Sequence, residues 1–255
     1  MTPKRPLIFI SNDDGVNSGG IKFLTQIARS YGEVFVVAPQ QAQSGKSSAI
    51  TIETPLRPQI IQDDDDITIY SVNGTPVDCA KLALNKLLPR TPSLILSGIN
   101  HGFNAGNSAI YSGTMGVVFE GSFLNIPSIG FSYGNYSADA DFSQCEPIIR
   151  HVIEGVLKNG LPSDICLNVN IPFCDEIKGI KTTIGAKGRW TEEYEERKDP
   201  FGRPYFWITG KYMPSEPHNA MNDVYWLDRG YASITPCHAD QTAFDALDTI
   251  SHFTK

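Results

Sequence analysis

The chain has 255 residues, 41% of them hydrophobic, enough to bury a full core in one large domain or two small ones. With 21 Lys and Arg against 28 Asp and Glu the formal charge is -7, a field that repels a nucleic-acid polymer and leaves a small anion to be held only by local positive charge. Five scattered cysteines (Cys79, Cys145, Cys166, Cys174, Cys237) fit reduced thiols and argue against a disulfide frame or a thiolate zinc site. The opening residues lead into an apolar run of only four, too short for a signal-peptide core or a membrane span, so the expectation is a cytoplasmic protein with no membrane partner.

Leu7-Ile8-Phe9-Ile10 runs straight into Ser11-Asn12-Asp13-Asp14-Gly15, a buried strand that delivers charge to its carboxyl end. Two adjacent carboxylates there repel each other and lose hydration. They stay ionised only beside a cation or a basic partner. No Lys or Arg follows closely, so Asp13 and Asp14 are expected to floor a divalent-metal site, with Gly15 supplying the backbone freedom to turn them to one side. An isolated Asp-Asp-Gly reads as an Asx-type turn before it reads as a metal site; the other strand ends change that balance.

Residues 19–31 carry Ile21, Leu24, Ile27, Ala28 and Tyr31 at helical spacing, stopped by Gly32. Val34-Phe35-Val36-Val37 is the next buried strand, which makes the first 39 residues a right-handed βαβ unit. The loop 40–48 that follows ends in Ser44-Gly45-Lys46-Ser47, like the close of a phosphate-binding P-loop. That motif wants Gly at Gln40 and a helix where Ala49-Ile50-Thr51-Ile52 reads as strand. Residues 49–72 read as a β excursion with Asp63 to Asp66 at a solvated tip. Thr75 at the N-cap, Pro76 at N1 and Asp78 at N3 open a helix over 76–88.

Ser93 to Ser97 forms a third buried strand, and the loop 98–107 after it crowds Asn100, His101, Asn104 and Asn107 among three glycines. Ser112-Gly113-Thr114 then opens an apolar helix, Met115 to Leu124; free N–H groups at such a start attract an anion, although a plain Ser or Thr cap has the same look. A strand near 126–132, a helix over 141–158 and a strand at 165–171 close the α/β portion. Beyond about 178 the texture becomes β-forming and charged. Asp199-Pro200-Phe201-Gly202-Arg203-Pro204 turns a projecting hairpin between Glu192–Arg197 and Tyr205–Ile208, followed by a strand at 230–236 and a terminal helix from Phe244 to Phe253.

Parallel α/β sheets bind ligands beyond the carboxyl ends of their strands. That edge collects Asp13 and Asp14, Ser44, Asn100 and Asn104, and the start at Ser112-Gly113-Thr114. The donors are all oxygens, which select magnesium, manganese or calcium over zinc or copper. A metal facing a helix N-terminus suits a phosphate ester, whose unaided hydrolysis needs roughly 10²¹-fold acceleration, more than one hydroxyl or acid supplies.

Asn12-Asp13-Asp14-Gly15, Ala38-Pro39, Ser44-Gly45, Gly74 to Cys79, Ser97 to Asn104, Tyr111 to Thr114, Asn168-Val169-Asn170, Asp199 to Tyr205 and Gly230 to Pro236 strongly resemble the SurE (survival protein E) family of nucleotidases, in family order along nearly the whole chain. The resemblance implies one Rossmann-like α/β domain, a mostly parallel sheet flanked by helices, with a core of about 1–177 and a β-rich extension of about 178–255 used in oligomerisation. It implies a metal-dependent phosphatase of nucleoside 5′- and 3′-monophosphates, some relatives also trimming short polyphosphate, with one Mg²⁺ or Mn²⁺ per subunit in a homodimer or homotetramer. Its metal ligands fall on Asp13, Asp14, Ser44 and Asn100, and its phosphate contacts on Asn104, Ser112, Gly113 and Thr114. Catalysis is then expected from Asp13, Asp14 and Asn104; the proton of the attacking water can go to either acid, or a metal-bound hydroxide can serve without a separate base. Gln40 departs from the family's acid after Ala-Pro, which leaves less negative charge behind the metal; Cys237 and His238 replace a common hydrophobic residue, and Asp240 matches a family acid.

Two rival readings remain beside this one: a P-loop ATPase, and a regulator that binds nucleotide without cleaving it. Carboxylates beside a bound phosphate weaken its binding unless a metal intervenes, which speaks against the regulator.

Overall fold

The structure is a computed structural model and describes residues 5–254. In chain order it comprises β1 (Leu7–Ser11), α1 (Gly19–Ala28), β2 (Glu33–Pro39), β3 (Pro58–Asp64), β4 (Ile67–Val72), α2 (Pro76–Leu82), β5 (Leu94–His101), α3 (Gly113–Ser122), β6 (Ser128–Tyr133), α4 (Glu146–Asn159) and β7 (Ile165–Ile171). There follow β8 (Ile180–Thr182), β9 (Gly188–Thr191), β10 (Tyr194–Lys198), β11 (Pro204–Ile208), β12 (Lys211–Pro214), α5 (Asp223–Leu227), β13 (Ala232–His238) and α6 (Leu247–Ile250).

Nine strands join in one sheet in the order β3-β4-β2-β1-β5-β6-β7-β13-β8. From β4 across to β7 every neighbour is parallel, while β3 and β13 pair antiparallel with β4 and β7. The chain winds outward from β1 to β2 and β4, then returns through α2 to place β5 on the other side of β1. The strand order therefore reverses between β1 and β5, and the loops leaving those two strands face a common crevice.

Period-two alternation in β1 feeds two helix layers. Ile8 and Ile10 pack with Ile21, Leu24 and Ile27 of α1 and Ile149 and Ile153 of α4; Leu7 and Phe9 pack on the opposite face with Cys79 and Ala80 of α2. A strand buried on both faces has to be apolar throughout, and all four of these residues are buried. Among the described residues no helix is long and apolar enough to cross a membrane.

Several boundaries differ from those expected, each for a local reason. The helix expected over 76–88 is α-helical only to Leu82 and widens into a π turn at Ala83–Leu87. The helix expected from 141 begins at Glu146, with proline in its first turn, after a short 3₁₀ turn. The strand expected to stop at Ser97 continues to His101, because Gly98, at φ 125°, lets β5 slip its register against β6 between Ser97 and Asn100 and go on pairing. Asn100 and His101 therefore sit on a strand end, not in a free loop. The terminal helix contracts to the four residues of α6 between 3₁₀ turns; Phe244, Leu247 and Ile250 are exposed, so no core face aligns them.

The expected hairpin is present as β10 paired with β11, closed by Asp199, whose carboxylate accepts the Phe201 and Arg203 N–H groups. A second antiparallel pair, β9 with β12, lies beside it in sequence. The sheet itself draws on residues beyond 177, since β8 and β13 extend it past β7.

Candidate active site

Asp13 follows the end of β1 and is 4% exposed. Gly15, at φ 94°, turns the chain so sharply that Val16 N–H reaches Pro39 O at 2.8 Å, and a side chain at Gly15 would press within 3.3 Å of the Gln41 backbone. This turn brings the loop after β2 onto the acidic pair: Gln43 N–H donates to Asp13 O at 2.7 Å, so Ser44 is the next residue along and is exposed. From the other side Thr114 Oγ1 donates to Asp13 Oδ1 at 2.7 Å. Gly113 packs directly on Asp13, since a Cβ there would lie 2.9 Å from Asp13 Cβ. Asp14 accepts a long N–H contact from His101 at 3.4 Å, which ties β1 to the end of β5. The sequence-expected Asp13, Asp14, Ser44, Asn100, Gly113 and Thr114 thus lie on segments that touch one another.

Burial pushes Asp13 up to about 6; the Asp14 charge adds to this, and the Thr114 hydroxyl and Gly113 N–H pull back. Burial also raises Asp14, opposed by the charge and N–H of His101. Among the ion pairs of the described residues none involves either acid. Two adjacent desolvated carboxylates that close no salt bridge form a site that gains free energy by taking up a cation.

The donors fit a hard divalent ion. Asn100 commits its Nδ2 to the carbonyls of His101 and Gly102, at 3.1 and 3.0 Å, which leaves its oxygen as the end free to ligate. The Asn12 Oδ1 next to the acids is buried and has no hydrogen-bond partner. Among the described residues no three His, Cys, Asp or Glu side chains gather at metal-binding range, so a cation here would have to rest on two carboxylates completed by amide and hydroxyl oxygens.

The hydroxyls of the α3 start are used differently from one another. Ser112 Oγ caps the helix by accepting the Met115 N–H at 3.1 Å, which leaves its O–H proton to address a ligand. Thr114 is fully buried and its hydroxyl is directed at Asp13, so what it can offer an anion is its backbone N–H. The Thr114 hydroxyl thereby orients the Asp13 carboxylate.

Asn104 is held by residues to which the sequence reading gave no role. Its N–H donates to Asn170 Oδ1 at 2.8 Å, its Nδ2 to Ser132 Oγ at 2.9 Å, and its carbonyl accepts from Asn168 Nδ2 at 2.8 Å. Asn170 Nδ2 in turn donates to Asn168 Oδ1 at 3.0 Å. Two amides two positions apart in an otherwise apolar strand share one face, and that pattern is the signal that could have found them. His101 stands beside the site, its N–H toward Asp14 and its ring edge-on to Phe142 at 5.3 Å.

A doubly wound α/β protein with an oxygen-lined, acid-floored crevice at its switch point is what fold and site define together. The chain matches the family Survival protein SurE over residues 8–192, and it belongs to that family. It is 43% identical over 253 residues to a protein of Phocaeicola vulgatus named 5′-nucleotidase SurE, covering 99% of this chain and 98% of that one. To a protein of the same name from Bacteroides thetaiotaomicron it is 44% identical over 253 residues, with the same coverage. The crystal structure of the SurE protein from Aquifex aeolicus superposes with a TM-score of 0.84 at 36% identity, covering 98% of this chain and 100% of that one.

Proposed function

We propose that the chain is a metal-dependent nucleotidase that hydrolyses nucleoside 5′- and 3′-monophosphates to nucleoside and phosphate and also cleaves short-chain polyphosphate. Family membership and the name 5′-nucleotidase carried by its relatives support the 5′-activity. The observation that carries the metal is the desolvated Asp13–Asp14 pair, which forms no salt bridge among the described residues and lies against the start of α3.

In this reading Asp13, Asp14, Ser44 and Asn100 hold one Mg²⁺ or Mn²⁺ per subunit. When bound, the ion supplies positive charge to the phosphoryl group and acidifies water. Asn104 orients the ester, the Ser112 O–H and the N–H groups of Gly113 and Thr114 meet the phosphoryl oxygens, and the acidic pair receives the water's proton. The subunit is one SurE-like domain, and the part beyond about 178 contributes to a homodimer or homotetramer in the cytoplasm.

Phosphate release from AMP, GMP, a nucleoside 3′-monophosphate and tripolyphosphate, with and without chelator, tests this reading. Release that EDTA stops, Mn²⁺ or Mg²⁺ restores and Asp13→Ala abolishes in a folded protein is expected. Chelator-insensitive release, or AMP binding with no release, overturns it.

A further inference from the structure

The loop that carries Asn104 is gripped from a second side. Its 3₁₀ turn, Gly106–Tyr111, has no fully buried residue and packs on the core only through the partly buried Ala109, against Met115, Val118 and Cys166, so polar ties weigh heavily in its position. The tie to the later part of the chain is Asp223, which opens α5 and is wholly buried. Its Oδ2 accepts the Gly106 N–H at 2.7 Å, and its Oδ1 accepts the N–H groups of Ala186 at 2.9 Å and Val224 at 2.8 Å. The Val224 bond alone serves the start of this short helix. The Gly106 bond spans 117 residues of sequence and ends two residues from Asn104.

Neighbouring contacts reinforce the same junction. Asp223 N–H donates to Ile184 O at 3.0 Å, and Ile184 N–H donates to Met221 O at 2.9 Å, which fixes segment 184–186 against 221–223. Tyr212 O–H donates to Ala186 O at 2.6 Å and accepts the Asn107 N–H at 3.4 Å, while Asn107 Nδ2 donates to Gly188 O at 2.6 Å.

We propose that Asp223 is a positioning residue for the hydrolytic site: through Gly106 it holds Asn104 in register with the acidic pair, so that the segment 184–223 shapes catalysis as well as extending the fold. The inference rests on the nucleotidase reading. A carboxylate accepts at both oxygens, whereas an amide has one acceptor; keeping that acceptor for the two N–H groups of Ala186 and Val224 turns its donor toward the Gly106 N–H and breaks that tie.

The test is steady-state AMP hydrolysis at saturating Mn²⁺ by Asp223→Asn and Tyr212→Phe, with Mn²⁺ affinity and amide exchange measured alongside. Asp223→Asn lowers kcat by about 10- to 100-fold with KM changed by less than about threefold, because the misplaced Asn104 is missed chiefly in the transition state. Tyr212→Phe gives a smaller fall of the same kind, of about threefold or more. Mn²⁺ affinity stays within about twofold, since Asp13, Asp14 and Ser44 lie on other loops and Asn100 is held at the end of β5 by the His101 and Gly102 carbonyls, and the Gly106 amide loses exchange protection. An unchanged kcat in folded Asp223→Asn overturns the proposal, as does a kcat loss matched by an equal loss of Mn²⁺ sites, which marks unfolded protein. Should Asp223→Asn fail to fold, an unchanged kcat in Tyr212→Phe overturns it. If the wild-type chain releases no phosphate, the nucleotidase reading fails by itself; unaltered protection of Gly106 in Asp223→Asn would then overturn the tie independently.

Discussion

The Thr114 hydroxyl donates a 2.7 Å hydrogen bond to Asp13 Oδ1, joining the first turn of α3 to the end of β1 across 101 residues of sequence. Both side chains are buried, so neither has water as an alternative partner. The bond favours the ionised carboxylate and keeps Asp13 from rising further than about 6. A carboxylate must lose its proton to hold a cation, so Mn²⁺ affinity is expected to fall as pH drops through about 6. Thr114→Val removes the donor without changing the shape, and the fall then begins roughly half a unit to one unit higher. Mn²⁺ titrations between about pH 5 and 8 read both midpoints.

Asp13→Asn separates the cost of this charge from its use. The folded value of Asp13 lies above its ordinary 3.8, so folding takes up a proton between 3.8 and about 6 and stability declines as pH rises through that window. The penalty is complete above about 6 and amounts to about 3 kcal/mol. In chelator, Asp13→Asn is expected to melt above the wild-type protein at pH 7 and close to it near pH 4, while phosphate release is lost. Melting curves at the two values check the sign.

Asp78 shows the opposite dependence. Burial pushes its carboxyl up, but the Thr51 hydroxyl and N–H and the Thr75 N–H, at 2.6, 2.9 and 2.9 Å, outweigh this and hold it below the usual range. Its contribution is therefore present above the unfolded carboxylate range and disappears as pH falls through the lowered folded value. Asp78→Ala also removes the capping box of α2 and is expected to cost about 2–3 kcal/mol at pH 7. The difference from wild type should shrink toward pH 3 in urea titrations.

The β10–β11 hairpin exposes every residue of both strands, Phe206, Trp207 and Ile208 among them. A two-stranded ribbon wet on both faces is marginal on its own, so a second subunit is expected to cover it. Replacing Phe206 and Trp207 together by Ser should lower the mass measured by light scattering toward that of one chain, 28.0 kDa, and leave the melting of the main sheet little changed.

Much of this architecture was legible along the chain because its signals are local. Buried strands read as unbroken apolar runs, α1 as a 3.6-residue stripe, and α2 as Thr75-Pro76-Val77-Asp78, whose reciprocal cap bonds are all present. Abrupt acid after Ile10 marked the crevice for the same reason. A strand cannot keep two carboxylates in its interior, so they had to fall at its end.

Sequence by itself determined the α/β class, the order of the parallel strands' helices and the set of oxygen-bearing residues at the sheet edge, since each follows from a short pattern or a motif met in order. Only the tertiary structure decided which of those oxygens are committed elsewhere: Thr114 to Asp13, the Asn100 amide to two carbonyls, and Asn104 to Asn168, Asn170 and Ser132. It alone brought Asp223 to Gly106. Hydrogen bonds between segments a hundred residues apart leave no periodicity in the chain; they exist because the sheet order sets those segments side by side and burial removes water as a competing partner.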